Sequence, residues 1–313
     1  MSINIPKNTL KNRLWLLLLA FMALIIISSP TISFLNIISK YFIHLVGIFF
    51  LIGLIGYIIN NTYVLLLGFG LCTIICLQLK NESETAFKNK SYANEEKINI
   101  ALINLSDVKN TDDLFNLIAE KNPEIINFIE VTPDWVDILQ AKLSTNYNYN
   151  LTQPTIDFYG KAFFSKHKII SDLNMTKDLS ITIQHNLDTI LLISIYITPS
   201  LDNMSIKNAA QQFNIISDLV VDTNYPALVF GQFNHVYWSP EIKNFKTMSG
   251  LKNCRNSSLP SGNEIQNELS FHNHHFNCFD IKDLRFKNGN KIGIFASYIK
   301  SNAITKSNLK SKK

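Results

Sequence analysis

Apolar residues are spread along the chain in two different ways. Before Lys80 they come in long runs; after it they come in strand-length runs and in stretches at helical spacing. The first run, Leu14 to Ser28, is stopped by Ser29 and Pro30. At about 1.5 Å per residue it is short for a hydrocarbon core of about 30 Å, and it spans only by extending through Pro30 to Leu35. The second run, Tyr41 to Ile59, is long enough alone and carries one polar residue, His44, near its start. The third, Tyr63 to Leu79, follows after only Asn60, Asn61 and Thr62, so the pair reads as a helical hairpin. The pattern predicts a membrane anchor over residues 1–80, with helices at about 14–34, 41–59 and 63–79 embedded in a lipid bilayer. No small-residue cleavage site clearly follows the first run and two more spans come after it, so a removable signal peptide is the weaker reading.

Residues 81–96 are polar, mixed in charge and without periodicity, which reads as a linker. Ile98 to Asn104 is a strand. Thr111 to Lys121 has polar and acidic residues at its start and then Leu114, Leu117 and Ile118 at helical spacing. Glu124 to Glu130 (EIINFIE) reads as a buried strand, and Thr132-Pro133 as the N-cap and first turn of a helix through about Leu143. Strands follow at Tyr147 to Gln153, Lys161 to Ser165, Leu179 to Leu187 and Thr189 to Ile197, the last two as a hairpin around Asn186 and Asp188. Met204 to Val221 is an amphipathic helix, Ala227 to Phe230 a short buried strand, and a helix begins near Ser239-Pro240. From about Cys254 the chain reads as irregular, with a late strand near Ile292 to Ile299, and residues 301–313 as a basic tail. Many consecutive strands interrupted by single helices predict an α/β fold of two packed sheets flanked by helices over residues 97–300, rather than an evenly alternating doubly wound sheet.

Charge and cysteines add little to this. The net charge of +5 is modest and lies partly in the terminal lysines. No basic stripe with interleaved aromatics marks a nucleic-acid track, which lowers the expectation of a nuclease without excluding one. Lys7, Lys11 and Arg13 before the first span argue for a cytoplasmic N-terminus and hence an extracytoplasmic soluble domain; Lys80, Lys88, Lys90 and Lys97 argue the other way. The first helix usually dominates, and the outside is the expectation. Cys254 and Cys278 can pair if the domain faces an oxidising compartment, although spacing alone does not establish it.

Polar residues end three of the buried strands: Asn104, Glu130, and the Gln232 and Asn234 of Gly231-Gln232-Phe233-Asn234. Strand ends are where ligands bind in many α/β folds. Taken singly, each residue is more simply a turn or cap. Together with their flanks, NPEIINFIEVTPDW, GKAFFSK and ALVFGQFNHVYWSP, they resemble the endonuclease/exonuclease/phosphatase (DNase I-like) superfamily, and in particular its bacterial members with N-terminal membrane spans. The resemblance covers roughly Ile98 to Ile299. It implies a four-layer sandwich, the bacterial inner membrane as location, and hydrolysis of a phosphate ester with Mg²⁺. Glu130 would hold the metal, Asn104 would contact it directly or through another group, and Asn234 would contact phosphate. The ligand would be a lipid head group or nucleic acid.

Departures from the family pattern bear on activity. Its water-activating Asp is Gln232 here, and an amide cannot act as a base near neutral pH. The C-terminal Ser-Asp-His motif should fall at GNKIGI (Gly289 to Ile294), which has neither Asp nor His. The expectation is therefore an impaired phosphoesterase. Two alternatives stay open: an active enzyme in which Gln232 orients water and His235 or His274 replaces the lost His, and a non-catalytic membrane scaffold. One carboxylate also makes a weak Mg²⁺ site. The cluster His272, His274, His275 and Cys278 reads as a loop, a remnant of the family's Asp-His region, or a metal site.

Overall fold

Three apolar helices, α1 (Leu10–Ser28), α2 (Phe42–Ile58) and α3 (Thr62–Glu82), occupy the first part of the chain in the computed structural model, which describes residues 10–29, 35, 38, 41–82, 97–175, 177–186, 188–199, 201–254 and 267–301. The chain divides into two compact units, residues 1–83 with 236–243, and residues 84–235 with 244–313. The expected continuation of the first span over residues 30–34, the linker over 83–96 and the tail beyond Ser301 lie outside the described residues.

Within the first unit, α2 and α3 form the hairpin that the short polar connection predicts. Asn61 accepts from the backbone of Tyr63 and Val64 at 3.1 and 3.3 Å and so starts α3. Small residues let the two backbones meet: a side chain at Gly68 would lie 2.2 Å from the backbone nitrogen of Gly53. Gln78 of α3 donates to the carbonyl of Ile26 in α1 at 3.3 Å. Among the described residues, only the third helix, over Thr62–Asn81, is long and apolar enough by itself to cross a membrane; Leu17–Ser28 and Phe42–Ile58 are apolar but shorter.

The second unit is built on two six-stranded sheets. The first has the order β11-β12-β1-β2-β4-β3, from β1 (Lys97–Asn104), β2 (Ile125–Ile129), β3 (Tyr149–Gln153), β4 (Lys161–Ser165), β11 (Phe276–Arg285) and β12 (Lys291–Lys300). The second has the order β5-β6-β7-β8-β10-β9, from β5 (Lys168–Asn174), β6 (Leu179–His185), β7 (Asp188–Tyr196), β8 (Ala227–Gln232), β9 (Lys252–Asn253) and β10 (Glu268–His272). Each sheet has one parallel pair, β1 with β2 and β7 with β8.

The central strands are apolar on both faces because both faces are covered. Ile98, Ile100, Ile125 and Phe163 of the first sheet meet Ile181, Leu192, Leu228 and Phe230 of the second in one core. On the other side of the first sheet, Ala101, Ile126 and Phe128 pack with Leu114 and Ile118 of α4 (Thr111–Lys121) and Leu139 and Leu143 of α5 (Pro133–Leu143). Phe213 of α6 (Asn203–Asp222) meets Phe233 and Phe245, the latter in α7 (Pro240–Ser249), with ring centroids 6.3 and 5.2 Å apart. The result is the expected sandwich of two sheets with flanking helices.

Four strands, β5, β9, β10 and β11, go beyond the sequence expectation. The segment after Cys254 is not irregular throughout: β10 and β11 are regular strands within it, and β5 lies in a stretch given no structure. β5 and β11 lie at sheet edges, where half of the side chains meet solvent, so Asp172, Asp280, Lys282 and Asp283 mask the strand pattern. Cys254 and Cys278 form a disulfide, with Cα atoms 5.3 Å apart, joining the end of β9 in one sheet to β11 in the other.

Candidate functional site

The carboxyl ends of β1, β2, β7 and β8 open at one end of the sandwich, and the polar strand-end residues gather there. Asn104 closes β1 and is buried. Its Nδ2 donates to Glu130 Oε1 at 2.9 Å, and its Oδ1 accepts from the backbone and hydroxyl of Ser106 at 3.0 and 2.9 Å. Both lone pairs of that oxygen are therefore engaged. Asn104 therefore orients the Glu130 carboxylate through its amide nitrogen.

Glu130 follows β2 with φ of +59°, and Asn234 follows β8 with φ of +52°, so both sit in the left-handed backbone region. Asn234 donates Nδ2 to the carbonyl of Ile197 at 2.8 Å and accepts Gln232 Nε2 at 3.1 Å. Gly231 makes this approach feasible, since a side chain there would lie 2.0 Å from the carbonyl oxygen of Ile195. Tyr196, at the end of β7, connects the two halves: burial and the nearby Glu130 carboxylate push its phenol up, while a hydrogen bond with the Asn234 side chain pulls the other way. Glu130, Tyr196, Asn234 and Gln232 are thus linked at this end of the sandwich, with Asn104 bonded to the carboxylate.

A buried polar network that sequence reasoning did not single out supports this end of the sheet. Lys161 is fully buried, donates to the carbonyls of Tyr159 and Lys177, and lies 3.9 Å from Asp178. Asp178 accepts from the Tyr196 backbone at 3.0 Å and from Gln212 at 2.9 Å. Gln212 in turn accepts from the backbone of Thr198 at 3.1 Å. Burial pushes the Lys161 ammonium down to about 8, against the opposing charge of Asp178. Lys177 donates to the Thr198 hydroxyl at 3.1 Å and lies 4.7 Å from the Tyr159 ring centre, a cation beside the tyrosines of the cleft. The one signal in the sequence was the GKAFFSK word, which holds Lys161.

The structure does not bring the two candidate histidines to the cleft. His235 is 4% exposed, shares a hydrogen bond between Nδ1 and the Phe233 carbonyl at 2.8 Å, and lies against Phe213 of α6 with centroids 5.7 Å apart. It belongs to the aromatic layer beneath the helices. His274 lies at the far end of the sheet: β10 runs antiparallel to β8, pairing Glu268 with Gln232 and His272 with Leu228, so the turn at His274 follows beside Ala227. The metal reading of the His272–Cys278 cluster also lapses, because Cys278 is in the disulfide and His272 Nδ1 bonds to the Asn273 carbonyl at 3.0 Å. Where the family's C-terminal Asp-His would fall, Lys291 forms ion pairs with Glu268 and Asp283 at 2.6 and 3.6 Å, and Ile292 is buried.

The sequence profile described as "Endonuclease/Exonuclease/phosphatase family" matches residues 98–283, more than half of the 313. Comparison with curated proteins finds no match. Among solved structures the chain is similar to the human Nocturnin catalytic domain with bound sulfate (14% identity, 66% of this chain and 95% of that one, TM-score 0.53). It is also similar to an endonuclease/exonuclease/phosphatase from Beutenbergia cavernae (12%, 66% and 72%, 0.53). A third is D. rerio TDP2 complexed with a single-strand DNA product (11%, 65% and 99%, 0.51). At these identities the likeness is one of fold.

Proposed function

Because the chain belongs to the endonuclease/exonuclease/phosphatase family, we propose that its cleft binds a phosphate ester but hydrolyses it poorly, on a domain held to a membrane by α1, α2 and α3. The amide pair Gln232–Asn234 supports this most directly. Gln232 stands where the family pattern has its water-activating Asp, and its Nε2 is engaged by Asn234. An amide does not take a proton from water near neutral pH. Losing a transition-state donor as well removes about 3 kcal/mol or more of stabilisation.

Binding is better provided for than catalysis. Glu130 keeps Oε2 for a ligand while Asn104 holds Oε1, and the ammonium of Lys177 lies beside Tyr159, whose ring meets that of Tyr196 edge to face. Mg²⁺ often keeps several waters on one or two carboxylates plus phosphate oxygens. Of the strand-end residues Asn104, Glu130, Gln232 and Asn234, Glu130 is the one carboxylate, so the protein would hold such an ion through Glu130. When bound, the ion would neutralise charge on the phosphate. The DNA product on D. rerio TDP2 and the sulfate on Nocturnin favour a phosphate-bearing ligand, from nucleic acid or from a lipid head group.

The membrane reading draws on the outward apolar side chains of the helices: Leu17, Leu24 and Ile58 are 66%, 65% and 78% exposed. Water is a poor solvent for such a surface and lipid a good one. The Cys254–Cys278 disulfide favours an oxidising compartment, so the domain is proposed to face outside the cytoplasm. Protease accessibility of the domain in intact spheroplasts tests the side.

The functional test uses the full chain in detergent with Mg²⁺ or Mn²⁺ on a generic phosphodiester, on nucleic acid and on phospholipid. The expected result is phosphate-ester binding weakened by Glu130→Ala, with no metal-dependent turnover. Turnover abolished by Glu130→Ala overturns the impaired reading. No binding, and no effect of the substitution, leaves a scaffold.

A further inference from the structure

We propose that Glu124, His167 and His185 form a binding site for a transition-metal ion, best matched by Zn²⁺, at the end of the sandwich opposite the cleft. Glu124 and Glu130 flank β2, so the two sites are about 20 Å apart along the strand. The three ligand atoms lie within 4.8 Å of one another. His167 Nε2 is 2.8 Å and His185 Nε2 3.6 Å from Glu124 Oε2, and the two imidazole rings meet edge to face with centroids 4.6 Å apart.

Zn²⁺ binds imidazole nitrogen and carboxylate oxygen at about 2.0–2.2 Å, which sets tetrahedral ligand atoms a little over 3 Å apart. Reaching that geometry opens the 2.8 Å contact by about half an ångström and draws the longest separation, up to 4.8 Å, inward to a little over 3 Å. Two imidazoles and one carboxylate select a transition metal over Mg²⁺ or Ca²⁺, which take oxygen.

The ligands are held before any ion arrives. The backbone of Glu124 bonds to Asn99 at 2.9 Å and to Lys166 at 3.0 Å. The Ser165 hydroxyl accepts from the His167 backbone at 2.9 Å and donates to its carbonyl at 2.8 Å. His185 ends β6, with its side chain 10% exposed. Glu124 belongs to the first sheet's end, His185 to the second, and His167 to the turn between β4 and β5 that joins them. A bound ion thus ties the sheets together at their base. His185 also borders a cavity of about 380 Å³ with Asn186, Asp188 and Lys300.

The test titrates the full chain in detergent with ZnCl₂ and, in parallel, with CoCl₂, following the visible bands of the cobalt form. One equivalent is expected in the wild type and in Glu130→Ala. His167→Gln and His185→Gln should each weaken binding by about tenfold or more, and His274→Gln should not change it. Circular dichroism checks that each variant is folded. If a histidine variant does not fold, X-ray absorption of the wild-type zinc form decides: two imidazole nitrogens support the site, and fewer overturn it. Absence of a stoichiometric ion, or binding lost with Glu130→Ala or His274→Gln, also overturns it.

Discussion

Gln232 donates Nε2 to Asn234 Oδ1 at 3.1 Å, while its own Oε1 is buried with no partner among the described residues. A buried acceptor without a donor costs about 1–3 kcal/mol, so the amide is not there to stabilise the fold. Replacing Gln232 by Asp supplies a base but takes away the donor to Asn234. Metal-dependent phosphodiester hydrolysis should rise by about 10²-fold and the denaturation midpoint should fall. Unchanged hydrolysis in a folded Gln232→Asp protein would show that the missing base is not what limits the chemistry.

Asn104→Asp sets a second carboxylate where the amide now donates to Glu130 at 2.9 Å. Two carboxylates that close do not both ionise readily without a cation between them. Without metal the variant should be less stable than the wild type by about 1–3 kcal/mol, and millimolar Mg²⁺ should restore its Tm while barely moving that of the wild type. A Tm that ignores Mg²⁺ would argue against a cation position at Glu130.

Breaking the Lys161–Asp178 pair leaves a buried charge without its partner. Asp178→Ala should cost about 3–5 kcal/mol in denaturant unfolding. Lys161→Met combined with Asp178→Leu should recover much of that loss, because an apolar pair of similar volume avoids the desolvation of both ions. A double variant as unstable as the single one would mean that the bonds from Asp178 to Tyr196 and Gln212 matter more than the charge.

Tyr147 gives a clean dependence on pH. It is buried, its hydroxyl donates to the Pro123 carbonyl at 2.9 Å, and burial pushes the phenol up to about 12. The folded state keeps this proton where the unfolded state has released it. The contribution is whole below the ordinary value of 10.0 and is lost as pH rises from there through about 12. The stability of Tyr147→Phe should accordingly decline less over that interval than that of the wild type, measured by urea midpoints.

Strand ends and buried runs were legible in the sequence because they are local. Lys161–Ser165 appears as a strand with the bounds that its apolar core suggests, Asn104 bonds to Glu130, and Gln232 bonds to Asn234. What stayed hidden depends on distant partners. Asp178, Gln212 and Thr198 come from a strand edge, a helix and a loop, and none is notable until the fold joins them. Histidines misled for the same reason. His235 adjoins Asn234 in the chain, yet the turn after β8 sends its ring into the aromatic layer, and His274 is at the wrong end of an antiparallel pair. Glu124, His167 and His185 are separated by 43 and 61 positions from the carboxylate outward, too far for any motif to join them.

The left-handed backbone at position 130 has an energetic corollary. Asparagine tolerates that conformation better than most residues, whereas a glutamate pays about 1 kcal/mol for it that glycine would not. Glu130→Gly relieves that cost of about 1 kcal/mol but leaves the buried Nδ2 of Asn104 without its acceptor, which costs about 1–3 kcal/mol, so the variant is not expected to be more stable than the wild type. The unfavourable backbone conformation is thus offset by the bond that the carboxylate gives its neighbour, and a change there is felt by fold and ligand together.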